Sequence, residues 1–275
     1  MLTQQTIQYF DQMDGSINDK SIILSHIHGP KVLDAGCGNG SLMKRLKSSG
    51  FDAYGIDSSL LALEQIQNND LEEKFIHGDL IDMDSYFQAE EFDSVIFSSV
   101  LHEVYSYNGF SKGALFDVLT SAYKIIKSGG RIIIRDGVKP MGHSRRIIRF
   151  KDVNDVLFLK EFCRRFKGRS IRYTEIEHLT YSMPEADAME FLYTYTWGWD
   201  SFDREVQEQY GVFNLVEYCK EVSDILPGCK IKFSQSYLQY GYEDNLRDKV
   251  DYLKPNYEQT ILPDSNMLIV IEKEG

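Results

Sequence analysis

Apolar residues in the first half of the chain fall in short runs, Val32–Leu33, Val95–Phe97 and Ile132–Ile134 among them, each bounded by polar or glycine-rich punctuation. Such runs, alternating with stretches of helical period, predict βα units and a mostly parallel sheet. Asn39 to Leu46 opens the first core helix, and residues 3–27 read as a helical approach, with Tyr9 and Phe10 available to cover a ligand. After residue 136 the alternation stops. A helix follows with Phe158, Phe162 and Phe166 on one face and Lys160, Arg164 and Lys167 on the other, then a β-like run Ser170–Ile176. Ser182-Met183-Pro184-Glu185 fits a capping box opening a further helix. A long helix is predicted over Asp203–Leu226, ended by Pro227-Gly228. Two strands, Lys230–Gln239 and Met267–Glu272, are separated by a charged connection of about 27 residues, long for a hairpin. The expected organisation is a helical cap over 1–30, a βα core over 31–136, a lid insertion over 137–202, and a C-terminal helix with closing strands over 203–275.

Between the first strand and the first helix lies Asp34-Ala35-Gly36-Cys37-Gly38-Asn39-Gly40. Glycines at 36, 38 and 40 allow positive φ and let a ligand approach the main chain where a Cβ would intrude. A dinucleotide turn needs its third glycine at position 41, which is Ser41, so a pyrophosphate reading is disfavoured. The segment resembles the first motif of the class I S-adenosylmethionine-dependent methyltransferases, E/D-x-G-x-G-x-G. Asp57 then ends a second strand, Asp52–Asp57, at the distance a βα unit requires. Phe75-Ile76-His77-Gly78-Asp79-Leu80 resembles that family's third motif, and Phe92–Ser99 reads as the fourth strand. Ile125–Ile134 resembles its glycine turn into the fifth strand, with Ser128 where proline is usual.

The resemblance implies an α/β fold: a Rossmann-like, seven-stranded, mostly parallel sheet with an antiparallel last strand, plus a helical lid insertion after the fifth strand. It also implies S-adenosyl-L-methionine as cofactor, held by Asp34, Gly36, Cys37, Gly38 and Gly40, by Asp57 at the ribose, by Asp79 and Leu80 at the adenine, and by Ser98. The first helix's free N–H groups suit the cofactor's carboxylate. Asp34 suits its positive charges.

Composition adds exclusions. Net charge is −12 with pI near 5.0, which opposes general nucleic-acid affinity. Yet Arg145 to Arg172 holds ten basic and three acidic residues, either a solvated face or an anion-binding lid. No run of 18 apolar residues exists and no basic-then-apolar leader opens the chain, so the expectation is a cytoplasmic protein without a membrane span. Four scattered cysteines, Cys37, Cys163, Cys219 and Cys229, predict reduced thiols, and Cys37 reads as a small residue fitting its turn. His26 and His28 have no third ligand at useful spacing, so no metal is expected.

Methyl transfer by in-line displacement chiefly requires the acceptor atom to be held about 3 Å from the methyl carbon. A base serves a hydroxyl or ammonium acceptor, and ligands of open α/β sheets sit at the carboxyl edge of the strands. His102 leaves the fourth strand at that edge and is the leading base, with Glu103 orienting it or taking the proton itself. The alternative is that both only cap and charge the next helix. Tyr105, Arg135, Asp136, Tyr195 and Trp197 are the substrate-side candidates, Arg135 and Asp136 being equally a local ion pair and the aromatics equally core. A small-molecule acceptor fits the acidic surface; an RNA or nucleotide fits the basic segment. Aminopropyl transfer, or a non-catalytic cofactor-binding partner subunit, are the readings from other classes. The expected state is a monomer or homodimer.

Overall fold

The computed structural model describes residues 21–67, 71 and 74–275. Tyr9, Phe10 and most of the expected N-terminal helix lie outside the described residues; its described part forms α1 (Ser21–Leu24). The chain divides into two compact units, one comprising 1–136, 217–235 and 268–275, the other 137–216 and 236–267.

In the first unit β1 (Lys31–Ala35), α2 (Ser41–Ser48), β2 (Asp52–Asp57), α3 (Leu60–Gln67), β3 (Phe75–His77), α4 (Met83–Tyr86), β4 (Phe92–Ser98), α5 (Leu101–Tyr107), α6 (Lys112–Ile125) and β5 (Ile126–Gly137) follow one another. The second unit adds β6 (Arg145–Phe150), α7 (Val153–Arg165), β7 (Thr174–Glu177), β8 (Thr180–Pro184), α8 (Glu185–Trp197) and α9 (Phe202–Glu205). Then come α10 (Leu215–Ile225), β9 (Cys229–Tyr237), α11 (Tyr242–Arg247), β10 (Val250–Leu253) and β11 (Asn266–Lys273).

Seven strands form one sheet in the order β3-β2-β1-β4-β5-β11-β9. The pairs among β1 to β5 are parallel. Val32, Leu33, Val95, Ile96, Phe97 and Ile132 to Ile134 are fully buried, as strands covered on both faces must be. Gly55 marks the tightest approach within this layer, because a Cβ there would lie 2.3 Å from Met43 Sδ and 2.8 Å from Cys37 Sγ. The glycine turn expected before the fifth strand is an irregularity inside a continuous β5: pairing jumps from Phe92↔Ile126 to Ser94↔Arg131, and the surplus residues include Gly129 at φ 76°.

The insertion is not a helical lid. In addition to its helices it contributes three strands, β6, β8 and β7, to a four-stranded antiparallel sheet completed by β10 in the order β10-β6-β8-β7. β10 lies in the charged connection that separates the last two strands of the first sheet, and it pairs with β6 about a hundred residues earlier, a pairing that local pattern does not announce. The amphipathic reading of α7 holds: Phe158 and Phe162 are buried while Lys160 and Arg164 are exposed. The capping box does not form. Pro184 occupies the N-cap without a side-chain bond, and Ser182 Oγ instead accepts from Arg145 Nε at 2.9 Å.

The long helix expected over Asp203–Leu226 is broken into α9 and α10. Between them the Glu190 carboxylate accepts from the Tyr210 and Gly211 amides at 2.8 and 3.1 Å, which diverts these donors from a helical ladder. The second unit's core is aromatic. Phe158 meets Phe191, Tyr195 and Phe202 edge-on with centroids 6.2, 5.2 and 4.9 Å apart. Phe158→Ala is therefore expected to cost about 3–5 kcal/mol of stability, read as a lower denaturation midpoint for the second unit's aromatic signal.

Candidate functional site at the carboxyl edge of the parallel strands

The turn after β1 carries left-handed glycines at three alternate positions, Gly36 at φ 78°, Gly38 at 52° and Gly40 at 77°. Two amides at its start, Gly36 N and Cys37 N, donate to the Ile56 carbonyl of β2 at 2.8 and 3.2 Å. The Asp57 carboxylate accepts from Gly38 N at 2.9 Å through one oxygen and from Ser59 N at 2.8 Å through the other. The acidic residue that closes β2 is thus tied to the middle of the glycine turn, and a carboxylate offering about four acceptor positions retains others for a ligand. Helix α2 starts at Gly40 without a side-chain cap, leaving its N-terminal face to main-chain donors.

Asp34, near the end of β1, and Leu80, after β3, are buried, while Asp79 is exposed and accepts from Ile81 N at 2.9 Å. Cys37 is buried, and its thiol is pushed well above the ordinary range by that burial, with the Asp34 and Asp57 charges adding to it. A thiol so held is inert. All four cysteines are free. Ser98 Oγ, buried at the end of β4, has no hydrogen-bond partner among the described residues. An orphaned hydroxyl at a strand's carboxyl edge calls for a partner from a ligand or a water.

The next turn of chain brings together two residues read separately from sequence. His102 Nδ1 lies 2.6 Å from Asp136 Oδ1, and His102 N donates to Asp136 Oδ2 at 3.0 Å, with both side chains buried. Asp136 stands at the end of β5, neighbour of the β4 strand from which α5 departs. One carboxylate therefore caps the first turn of α5 from an adjacent strand and aligns the imidazole on it. A carboxylate accepts from a ring N–H, so this pairing favours the tautomer with its proton on Nδ1, which leaves Nε2 as the basic nitrogen. Asp136, 34 positions away in sequence, is thus a partner of His102, alongside Glu103, whose carboxylate lies within 4.8 Å of the imidazole. Tyr218 of α10 is fully enclosed, and its phenol is pushed well above the usual value by burial first and by the Asp136 charge second.

The remaining candidates separate. Arg135 is buried, and its Nη1 donates to Ser99 Oγ at 2.7 Å. Tyr105 is half-buried on α5 with its ring edge-on to Phe110. Tyr195 belongs to the packed core of the second unit, stacked on Phe191 at 5.1 Å, rather than to an exposed aromatic wall. Trp197 is half-buried at the last position of α8. His26 lies against Phe233, with centroids 4.6 Å apart.

A family model described as a methyltransferase domain matches residues 27–187. Among curated proteins, the tRNA U34 carboxymethyltransferase of Hydrogenovibrio crunogenus is 26% identical over 146 residues, a match spanning 50% of this chain and 42% of that relative. A solved S-adenosylmethionine-dependent methyltransferase from Mesorhizobium loti superposes with a TM-score of 0.55 at 12% identity, covering 93% of this chain and 96% of that one. A putative one from Listeria monocytogenes gives 0.53 at 13%, covering 96% and 100%. At these identities the two structures speak to the fold alone. No helix among the described residues is long and apolar enough to cross a membrane.

Proposed function

Because the chain belongs to the class I S-adenosylmethionine-dependent methyltransferase family, we propose that it methylates an oxygen or nitrogen of a small-molecule acceptor, with His102 as base and Asp136 as the group orienting it. The observation that carries this reading is the buried bond from His102 Nδ1 to Asp136 at 2.6 Å, next to the strand edge where the cofactor turn begins.

Bound S-adenosylmethionine supplies an electrophilic methyl group on a sulfonium that leaves as a neutral thioether. The chain's own residues hold and orient. The main chain of the turn, Gly36, Cys37, Gly38 and Gly40, takes the amino-acid end together with the N-terminus of α2, where a carboxylate is favoured by the helix dipole. Asp34 faces the cofactor's positive charges, and Asp57 takes the ribose hydroxyls with the acceptor positions its two backbone bonds leave. Asp79 and Leu80 serve the adenine, and Ser98 Oγ finds a partner there. At the acceptor, His102 Nε2 receives the proton that a hydroxyl or ammonium must lose, while Asp136 stabilises the imidazolium that results. Tyr105, on the same helix as that base, and Arg135, beside Asp136 on β5, are the substrate-side candidates, and Glu103 remains the alternative proton acceptor.

Charge favours a small acceptor over a polyanion. Seven of the ten cations between Arg145 and Arg172 face carboxylates, among them Arg146 with Glu185 at 2.8 Å, Arg164 with Glu161 at 2.6 Å and Arg165 with Asp203 at 2.5 Å. A groove of about 400 Å³ beside α7 is lined by Arg164, Arg165 and Lys167 but also by Asp203. The exposed pairs among them add little stability, yet all cancel the field that would attract phosphates. The name of the Hydrogenovibrio relative favours an RNA acceptor as the second reading.

The two are separated by offering labelled cofactor with either the small-molecule or the RNA fraction of a cell extract. Label is expected in small molecules, and transfer confined to RNA would overturn the reading. Reversing Arg164 and Arg165 to Glu is expected to leave transfer to the small-molecule fraction unaltered, whereas a loss of RNA retention with a flatter salt slope would favour the RNA reading.

A further inference from the structure

Ser99 sits between the last residue of β4 and the helix that carries His102, and its backbone is left-handed, at φ 58°. An L side chain enters that region at a cost of about 1–2 kcal/mol, so something must hold it there. Two bonds do: Ser99 N donates to the Arg135 carbonyl at 2.7 Å, and Arg135 Nη1 donates to Ser99 Oγ at 2.7 Å. Arg135 is only 1% exposed, which makes its placement costly unless its donors are engaged.

Arg135 and Asp136 are consecutive in β5, so their side chains leave opposite faces of the strand. One grips Ser99 and the other grips His102. The four residues 99–102 are thus pinned at both ends from the same two positions of the neighbouring strand. Between the pins, Val100 abuts the cofactor turn closely enough that a Cβ on Gly36 would lie 2.4 Å from its Cγ2.

We propose that Ser99 and Arg135 are positioning residues, whose mutual lock keeps Ser99 left-handed and thereby points the first turn of α5 so that His102 meets Asp136. This rests on the reading of His102 as base. Relaxing Ser99 to an ordinary extended or helical backbone redirects the chain at the one residue where it leaves the sheet, and the imidazole, three residues on, departs from the carboxylate. A strained backbone kept by over-determined contacts is the usual way such geometry is stored.

The test is nuclear magnetic resonance of ¹⁵N-labelled full-length protein saturated with S-adenosylhomocysteine, which reads the His102 ring directly without needing the acceptor. The wild type is expected to show a low-field Nδ1 proton and an unprotonated Nε2. Ser99→Ala removes the acceptor for Arg135 and keeps the strain; Ser99→Gly removes both. In each the low-field resonance is expected to be lost. Ser99→Asn, whose residue type tolerates left-handed backbone and restores an acceptor oxygen, is expected to recover it. A merely structural role would lower the unfolding temperature of these variants and leave the His102 resonance of the folded protein in place. That result, in Ser99→Ala and Ser99→Gly alike, would overturn the proposal. A wild type that binds S-adenosylhomocysteine but lacks the Nδ1 proton would instead remove the base reading itself, and this proposal with it. Should Ser99→Gly not fold, Ser99→Ala, a change of one atom, decides alone.

Discussion

Asp136→Asn is expected to lower methyl transfer by about 10²–10⁴-fold, the range set by loss of an oriented general base, with S-adenosylhomocysteine binding nearly unaffected. The carboxylate now accepts from His102 N and from His102 Nδ1. An amide can keep one of these bonds through its oxygen. Its NH₂ group then faces the other donor, and the ring is driven to the tautomer that protonates Nε2, the atom required as base. Turnover is followed as S-adenosylhomocysteine release with the small-molecule fraction supplying acceptor, and binding is followed by calorimetry on the same preparation. His102→Gln should fall at least as far, and the double variant little further, because the two residues act as a unit. Glu103→Gln supplies the contrast. If it proved the more damaging change while Asp136→Asn kept its activity, the orienting role would pass to Glu103 and the pair would be no more than a helix cap.

That pair shows where sequence reasoning stops. His102 was legible, since it follows a strand whose carboxyl end lies at the ligand-binding edge, and Asp136 was legible as another residue at the same edge. Their union was not, because it depends on β4 and β5 being neighbours in register, with Ser98 opposite Arg135. The glycine turn and Asp57 were readable for the opposite reason: positive φ at three alternate positions and a carboxylate one βα unit later are local requirements. Buried-on-both-faces runs such as Val95–Phe97 likewise identify themselves.

The second unit was less transparent. Arg145–Phe150 is strand, yet three of its six residues are arginines and its isoleucines are adjacent, so no clean alternation signals it. Val250–Leu253, its partner, is four residues long and lies in a charged stretch. Tyr195 illustrates the ambiguity of aromatic clusters: the run from Phe191 to Trp199 mixes buried core with a half-exposed Trp199, and composition does not say which ring is which.

The largest effect on cofactor affinity is expected from Gly36→Val. Two penalties coincide at this position. The backbone stands at φ 78°, where a β-branched residue is a strong outlier. A Cβ there would lie 2.4 Å from Val100 Cγ2 and 2.8 Å from Val100 Cβ, and Val100 belongs to the turn pinned by Ser99 and His102, so it has little freedom to yield. Left-handed strain of about 1–2 kcal/mol and overpacking of about 1–3 kcal/mol together correspond to roughly 30- to several-thousand-fold if the folded state relieves them by giving up the bound turn conformation. Calorimetry with S-adenosylhomocysteine should show this as binding too weak to measure, in protein whose near-ultraviolet spectrum stays folded. Asp57→Ala is the companion change. It removes the acceptor for Gly38 N and Ser59 N together with the group assigned to the ribose, and a loss of about 1.5–3 kcal/mol in binding follows for a charged acceptor. Wild-type affinity in both variants would mean that the cofactor lies elsewhere than against this turn.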